Sequence, residues 1–165
     1  MGFLPRVLLV GLASVALASP VIGQKPDDQI SPKSVELQRQ GKALLAAGKL
    51  EQAEDILETS LAVDPRNRWA FVDLARVAEK QHLYGKAIRM TNKALQLEPN
   101  DPDAIAVQGE AMVELGAVAR AQQNLQKLQT ICRQGCPQVA QLSAAITRGP
   151  TVAAASKTPE VRPKN

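Results

Sequence analysis

The sequence predicts an all-α fold, an α-solenoid of three stacked helical hairpins followed by a C-terminal capping helix. The first observation is an internal period, since Pro65 and Pro99 end two similar segments 34 residues apart. The second is that small residues recur at the same spacing: Ala53, Ala87 and Ala121, and also Gly41, Ala75 and Gly109. The third is that only 2% of the residues are aromatic, so alanine and leucine, which favour helix, must supply the core.

The first hairpin follows from apolar residues spaced three and four apart and from the residues that interrupt them. We predict a helix that is capped by Ser31 or Ser34 and ends at Gly48. A second helix runs from Leu50 to Asp64, because the proline that follows cannot continue the backbone hydrogen bonds.

The remaining elements repeat this pattern. We predict that Asn67 caps a third helix, that Tyr84 opens a fourth and that Asp101 caps a fifth. A sixth helix covers about 118–131, and Pro137 begins a seventh that ends before Gly149. Small residues at the helix contacts let two helices approach closely, and larger side chains there would force them apart.

The N-terminus resembles a secretory signal. Arg6 precedes an apolar stretch over 7–18 and small residues up to Gly23, after which we predict cleavage. The stretch is shorter than the roughly 20 residues of a membrane span, although an uncleaved anchor stays open as the alternative. The predicted organisation is a signal peptide at 1–23, a flexible leader at 24–33, the repeat domain with its capping helix at 34–148 and a disordered tail at 149–165. The predicted location is periplasmic or secreted, without a stable membrane span after cleavage.

Cys132 and Cys136 are the only cysteines, and in an exported protein they are expected to form a disulfide across a turn. A metal site would need more ligands, and His82 is the only histidine. His82 occupies the turn position that glycine holds in the other repeats, which favours a solvated turn residue over a catalytic one. No phosphate-binding glycine loop is present, and the net charge of +4 is spread along the chain. We therefore expect no cofactor, no metal, no nucleic-acid partner and no catalytic residues.

The chain resembles the tetratricopeptide repeat family from Ser34 to about Cys132. The family pattern of bulky, small and proline positions is met in the first repeat by Leu37, Gly41, Leu44, Ala53, Leu57, Ser60 and Pro65. The second repeat supplies Phe71, Ala75, Ala78, Ala87, Thr91, Ala94 and Pro99. The third supplies Ile105, Gly109, Met112, Ala121 and Leu125, and departs at Leu128 and Arg133, which fits a terminal unit that meets a capping helix.

The resemblance implies a concave groove lined by the first helix of each repeat. The positions it places at this groove are Val35, Gln38, Lys42, Leu45, Trp69, Val72, Arg76, Glu79, Asp103, Ala106, Glu110 and Val113. The candidate contacts among them are Gln38, Lys42, Trp69, Val72, Arg76, Asp103 and Glu110. Trp69 is the best single contact, with packing on the preceding turn as the alternative. Asp73 takes a position where a carboxylate-binding groove would need a polar or basic residue, so the sequence argues against such a clamp.

These features together predict an exported protein–protein interaction module or scaffold that captures a peptide or helix of another protein. One alternative is a structural protein whose repeats stack on further copies of the same chain. Another is an accessory subunit of a cell-envelope enzyme or transport complex.

Overall fold

The computed structural model describes residues 29–133 and 135–151, and within these ranges the chain forms seven α-helices and no strand. The predicted all-α fold is thereby confirmed, with every helix where the sequence indicated one. The bounds are α1 Pro32–Ala46, α2 Leu50–Val63, α3 Arg68–Lys80, α4 Tyr84–Leu97, α5 Pro102–Glu114, α6 Val118–Ile131 and α7 Pro137–Arg148.

Consecutive helices pair into three hairpins, α1 with α2, α3 with α4 and α5 with α6, and α7 packs on both helices of the last one. The core lies between these hairpins and contains the fully buried Leu57, Ile105, Leu128 and Leu142. The alanines that recur with the period, Ala53, Ala87 and Ala121, have no exposed surface at all. The period therefore marks the points of closest helix packing.

Two glycines confirm how close this packing is. A Cβ atom on Gly41 would lie 2.5 Å from Cγ of Leu57, and one on Gly109 would lie 2.6 Å from Cδ1 of Leu142. Atoms cannot approach this closely, so any larger residue would displace α2 or α7.

The turn inside each hairpin uses one left-handed residue. Gly48 and Gly116 have φ angles of 73° and 75°, and His82 at the equivalent place has a φ of 60°. His82 is exposed, and its Nδ1 lies 2.9 Å from the hydroxyl of Tyr84. The predicted turn position of His82 is thus confirmed, in a conformation that glycine adopts with less strain.

The helix N-termini agree with the predicted caps in two of three cases. The side chain of Asn67 accepts a hydrogen bond from the Ala70 amide, and that of Asp101 accepts one from the Ala104 amide. Ser31 stands at the cap position of α1, but its side chain makes no capping bond and Ser34 lies inside the helix. Here a proline occupies the first turn of the helix instead, where its missing N–H costs nothing.

A buried polar cluster of Ser34, Ser60 and Asn67 joins the first three helices. Ser34 Oγ donates to the carbonyl of Ser60 at 2.8 Å, and Ser60 Oγ donates to the carbonyl of Ser34 at 2.7 Å. Asn67 Nδ2 donates to the two hydroxyl oxygens at 3.0 and 3.3 Å. All three side chains are fully buried, so their hydrogen bonds replace the water that they give up on folding.

The N-terminal edge of the domain begins earlier than the predicted boundary at Ser34. Ile30 is buried, Ser31 donates its amide to Asp64 at 3.0 Å, and helix α1 already starts at Pro32. Arg66 binds the same Asp64 carboxylate and lowers its pKa to about 2. The predicted signal peptide, most of the predicted leader and the predicted tail beyond Thr151 lie outside the described residues. Among the helices that the structure does describe, none has the length and apolarity of a membrane span.

Cys132 and Cys136 lie within disulfide distance, with their Cα atoms 5.6 Å apart, as the sequence predicted. We expect reduction to lower the free energy of unfolding by at most about 2 kcal/mol, because the closed loop is short. Urea denaturation with and without a reductant measures this difference. The variant in which both cysteines are serine is the control and must not respond to reductant. Loss of the cooperative unfolding transition on reduction would contradict the expectation.

Candidate functional site

A groove of about 750 Å³ runs across the first helix of each hairpin in the described part of the chain. Helices α1, α3, α5 and α7 supply its walls, and Tyr84 adds the start of α4. Its apolar lining includes Leu45 and Val107. Helices α2 and α6 lie on the other side of their hairpins and contribute no lining residue.

A chain of polar contacts crosses this face from α1 to α7. Gln38 donates to the buried carboxylate of Asp73, and Arg76 donates to the same carboxylate at 3.0 Å. Arg76 also donates to Asp103 at 2.7 Å, and Gln138 donates to that oxygen of Asp103 at 3.2 Å. One arginine therefore serves two aspartates, and four helices are held in register by a single network.

Two further carboxylates, Glu79 of α3 and Glu110 of α5, lie in the floor of the groove. Burial, assisted by the charge of Glu110 and opposed by that of Arg76, raises the pKa of Glu79 to about 8. Burial also raises the pKa of Glu110, partly offset by the amide of Gln141. Both carboxyl groups therefore bind protons more readily than exposed ones, which marks the floor as poorly solvated.

The pKa of Glu79 predicts that the folded protein loses stability as the pH rises. Between about 4.5 and 8 the folded state holds a proton that the unfolded chain has released, so deprotonation favours unfolding. The facing charges are Glu110 and Glu114, which add to this effect, and Arg76 and Lys80, which oppose it. We expect the variant Glu79→Gln to equal the wild type at acidic pH and to become the more stable protein near pH 8.

Urea denaturation across this pH range checks the prediction. The control variant is Glu51→Gln, which removes an exposed carboxylate on α2 and is expected to show no such pH-dependent gain. A constant difference between Glu79→Gln and the wild type at all pH values would contradict it.

Glu114 of α5, another lining residue of the groove, is bound by residues at and beyond the end of α7. Thr151 donates its amide at 2.8 Å and its hydroxyl at 2.7 Å to one oxygen of this carboxylate, and Arg148 lies 3.5 Å from the other. Burial alone would raise the pKa of Glu114, but these partners outweigh it and lower the pKa. Glu114 is thus an ion-paired carboxylate, whereas no ion pair within the described residues involves the side chain of Glu79 or Glu110.

The structure brings together three of the candidate contacts at the groove, since Lys42, Arg76 and Glu110 all line it. Gln38 and Asp103 contact the lining residues through the polar network.

The other two candidate contacts lie elsewhere. Val72 is 2% exposed and belongs to the core between α3, α4 and α5, which leaves almost no surface for a partner. Trp69 is half-buried outside the groove lining, with the Arg68 guanidinium 4.2 Å from its ring centre.

Leu45 and Glu79, at two further family positions expected to face the groove, line it as well. Several other lining residues were not expected, namely Glu114, Tyr84, Gln141 and Arg148. Glu110 and Glu114 are four residues apart, and this spacing on α5 could have indicated one acidic face. The residues of α7 carried no such signal, because this helix falls outside the repeat pattern.

The comparisons with known proteins agree with this geometry. The model of a family described as tetratricopeptide repeat matches residues 44–93. Cellulose synthase 2 operon protein C of Komagataeibacter xylinus is 39% identical over 72 residues, which is 42% of this chain and 5% of that protein. The chain therefore spans only a small part of that relative's length.

Two solved structures show the same fold. The TPR domain of Sgt2 from Aspergillus fumigatus gives a TM-score of 0.66 at 18% identity, covering 82% of this chain and 89% of that one. The first TPR of Spaghetti (RPAP3), bound to the HSP90 peptide SRMEEVD, gives a TM-score of 0.63 at 20% identity, covering 75% of this chain and 94% of that one.

Stacked helical hairpins with one open concave face define a helical repeat protein. The 34-residue period, the segment matched over residues 44–93 and the shared fold identify tetratricopeptide-type repeats in this part of the chain.

Proposed function

We propose that this protein is an interaction module that binds a peptide or helix of another protein in its concave groove. The observation that carries the proposal is the groove itself, about 750 Å³ in volume and lined by one helix from each hairpin and by α7. Its size is that of a typical ligand site. Most of its lining residues are charged, with charges of both signs, and the apolar ones are Leu45, Ala46, Tyr84 and Val107. The Spaghetti domain of similar fold was solved with a bound peptide, which supports a peptide-binding role.

The groove residues proposed as contacts are Lys42, Arg76 and Glu110, with Gln38 and Asp103 holding Arg76 and its neighbours in position. Trp69 is proposed as a contact only for a partner that extends past the groove over its outer edge. Repeats of this kind act by presenting a surface, so we propose no catalytic residue and no cofactor.

We further propose that the protein is exported, on the strength of its N-terminal sequence. The first residue of the protein recovered from the cell envelope or medium is then expected to be Gln24. An N-terminus at Met1 on the mature protein would contradict export by cleavage.

A second candidate is an accessory subunit of a cell-envelope enzyme, favoured by the likeness to a protein named for a cellulose synthase operon. This role would use the same groove, with the enzyme complex as the partner. Self-association of the repeats is the remaining alternative.

Site-specific photocrosslinking in the producing cells tests the proposal. A photoreactive residue in place of Lys42 or Lys80 reports on the groove, and one in place of Glu58 or Gln122 reports on α2 or α6. We expect a discrete adduct with another protein from the groove positions alone. Its identity distinguishes a free partner from an enzyme subunit or a second copy of this chain.

A variant that fills the groove provides the matched control. Ala46 lines the groove and is exposed, so Ala46→Trp is expected to abolish the adduct without disturbing the core. Ala62→Trp, at an exposed position of α2, is expected to leave it unchanged. Adducts that form equally from α2 and α6, or that survive Ala46→Trp, would contradict the proposed site.

A further inference from the structure

The charges that line the groove are not all neutralised by one another. Asp73 is bound by Gln38 and Arg76, and Glu114 is bound by Arg148 and Thr151. Arg76 is in turn shared between Asp73 and Asp103. Of the two carboxylates of the floor, Glu79 receives none of these direct bonds, and Glu110 receives only the side-chain amide of Gln141.

The floor therefore contains acceptor groups that lack a donor. Within the described residues, Oε1 of Glu110 is buried and makes no hydrogen bond. The backbone carbonyl of Glu79 accepts from the His82 amide at 2.9 Å, whereas within the described residues its side-chain carboxylate makes no hydrogen bond or ion pair. A buried carboxylate without a donor is costly, and a cation that reaches it recovers much of that cost.

We propose that the groove binds a protein segment carrying a lysine or arginine, whose side chain enters the floor between Glu79 and Glu110. This inference rests on the proposed function, because it specifies the chemistry of the segment that the groove takes. The exposed Ala46 and the accessible edges of Leu45 and Tyr84 supply apolar surface for the aliphatic stem of such a side chain, while its charged end reaches the carboxylates.

The lysines that line the groove limit the number of basic residues in the bound segment to one or a few. Lys42 and Lys80 also line the groove and are exposed, and the structure gives neither of them an ion pair within the described residues. A polybasic segment would be repelled there, whereas neutral or acidic neighbours of the central cation would be favoured. An acidic side chain in the floor would instead meet Glu79 and Glu110, which disfavours an acidic segment such as the peptide bound by the Spaghetti domain.

A displayed library of short random peptides, selected on the immobilised full chain, tests the inference. We expect the selected peptides to be enriched in sequences with a single central lysine or arginine. For a synthetic peptide from this set, replacing the basic residue by glutamine is expected to weaken binding about tenfold or more.

The double variant Glu79→Gln, Glu110→Gln removes the acidic floor with little change in shape. It is expected to bind the lysine peptide and its glutamine counterpart with similar affinity. The double variant Glu51→Gln, Glu58→Gln is the matched control, since it makes the same change of charge on α2, which contributes nothing to the groove. Thermal unfolding of each variant establishes that it is folded. If a variant is not folded, the affinities of the wild type for the lysine peptide and for its glutamine counterpart decide whether the groove prefers a basic residue.

The outcomes separate the two proposals. Peptides that bind the wild type but not Ala46→Trp, and that show no preference for a basic residue, would overturn this inference and leave the groove as the binding site. A basic preference that persists in Glu79→Gln, Glu110→Gln would overturn it as well. Selection of no peptide above an empty support would overturn the proposed function and this inference with it.

Discussion

Replacing Asn67 with alanine is expected to lower the free energy of unfolding by about 2 to 4 kcal/mol. The side chain caps α3 through the Ala70 amide, and it donates to the hydroxyls of Ser34 and Ser60. Loss of the cap exposes a backbone donor at the start of α3, and loss of the amide leaves a small void among three fully buried groups. Because the cluster joins α1, α2 and α3, the damage affects the whole first half of the stack.

Urea denaturation of Asn67→Ala beside Asn100→Ala measures this effect. Asn100 is exposed in the next inter-repeat turn, and its replacement is expected to change the unfolding free energy by less than about 0.5 kcal/mol. Equal effects of the two substitutions would show that the buried cluster does not stabilise the fold as described.

Replacing Ala87 with leucine is expected to destabilise the protein by about 1 to 3 kcal/mol. Ala87 has no exposed surface and lies in α4 within a cluster that includes Ala75 of α3 and Ala104 and Ala111 of α5. A leucine there would force these helices apart and open voids beside them.

The control is Ala144→Leu, at an exposed position in the middle of α7. It tests the same change of residue without a packed neighbour, and its effect is expected to stay within about 0.5 kcal/mol. An unchanged unfolding midpoint for Ala87→Leu would remove the packing argument for the recurrent small residues.

The helices could be predicted from the sequence because their signals are local. Gly48 and Gly116 mark turns by their backbone freedom. Asn67 and Asp101 cap the helices that follow them by accepting from an amide only three residues away. The recurring alanines repeat at a fixed spacing. Each signal falls within one or two turns of helix, so tertiary contacts are not needed to interpret it.

The site could be predicted only in part, because its chemistry depends on contacts between helices. That Arg76 serves both Asp73 and Asp103 cannot be inferred from spacing, since Asp103 is 27 residues away on another helix. The contribution of Arg148 was missed for the same reason, as α7 follows no repeat pattern. Val72 was expected at the groove from its repeat position, whereas the structure buries it in the core between α3, α4 and α5.

Mapping of backbone amide shifts in the labelled protein, during titration with a peptide that it selects, tests the central claim most directly. That claim is that the concave face of the stack binds a segment of another protein. We predict that the perturbed amides lie on α1, α3, α5 and α7 around Lys42, Arg76 and Glu110. Perturbations confined to α2 and α6, with the groove helices unaffected by a saturating peptide, would contradict it.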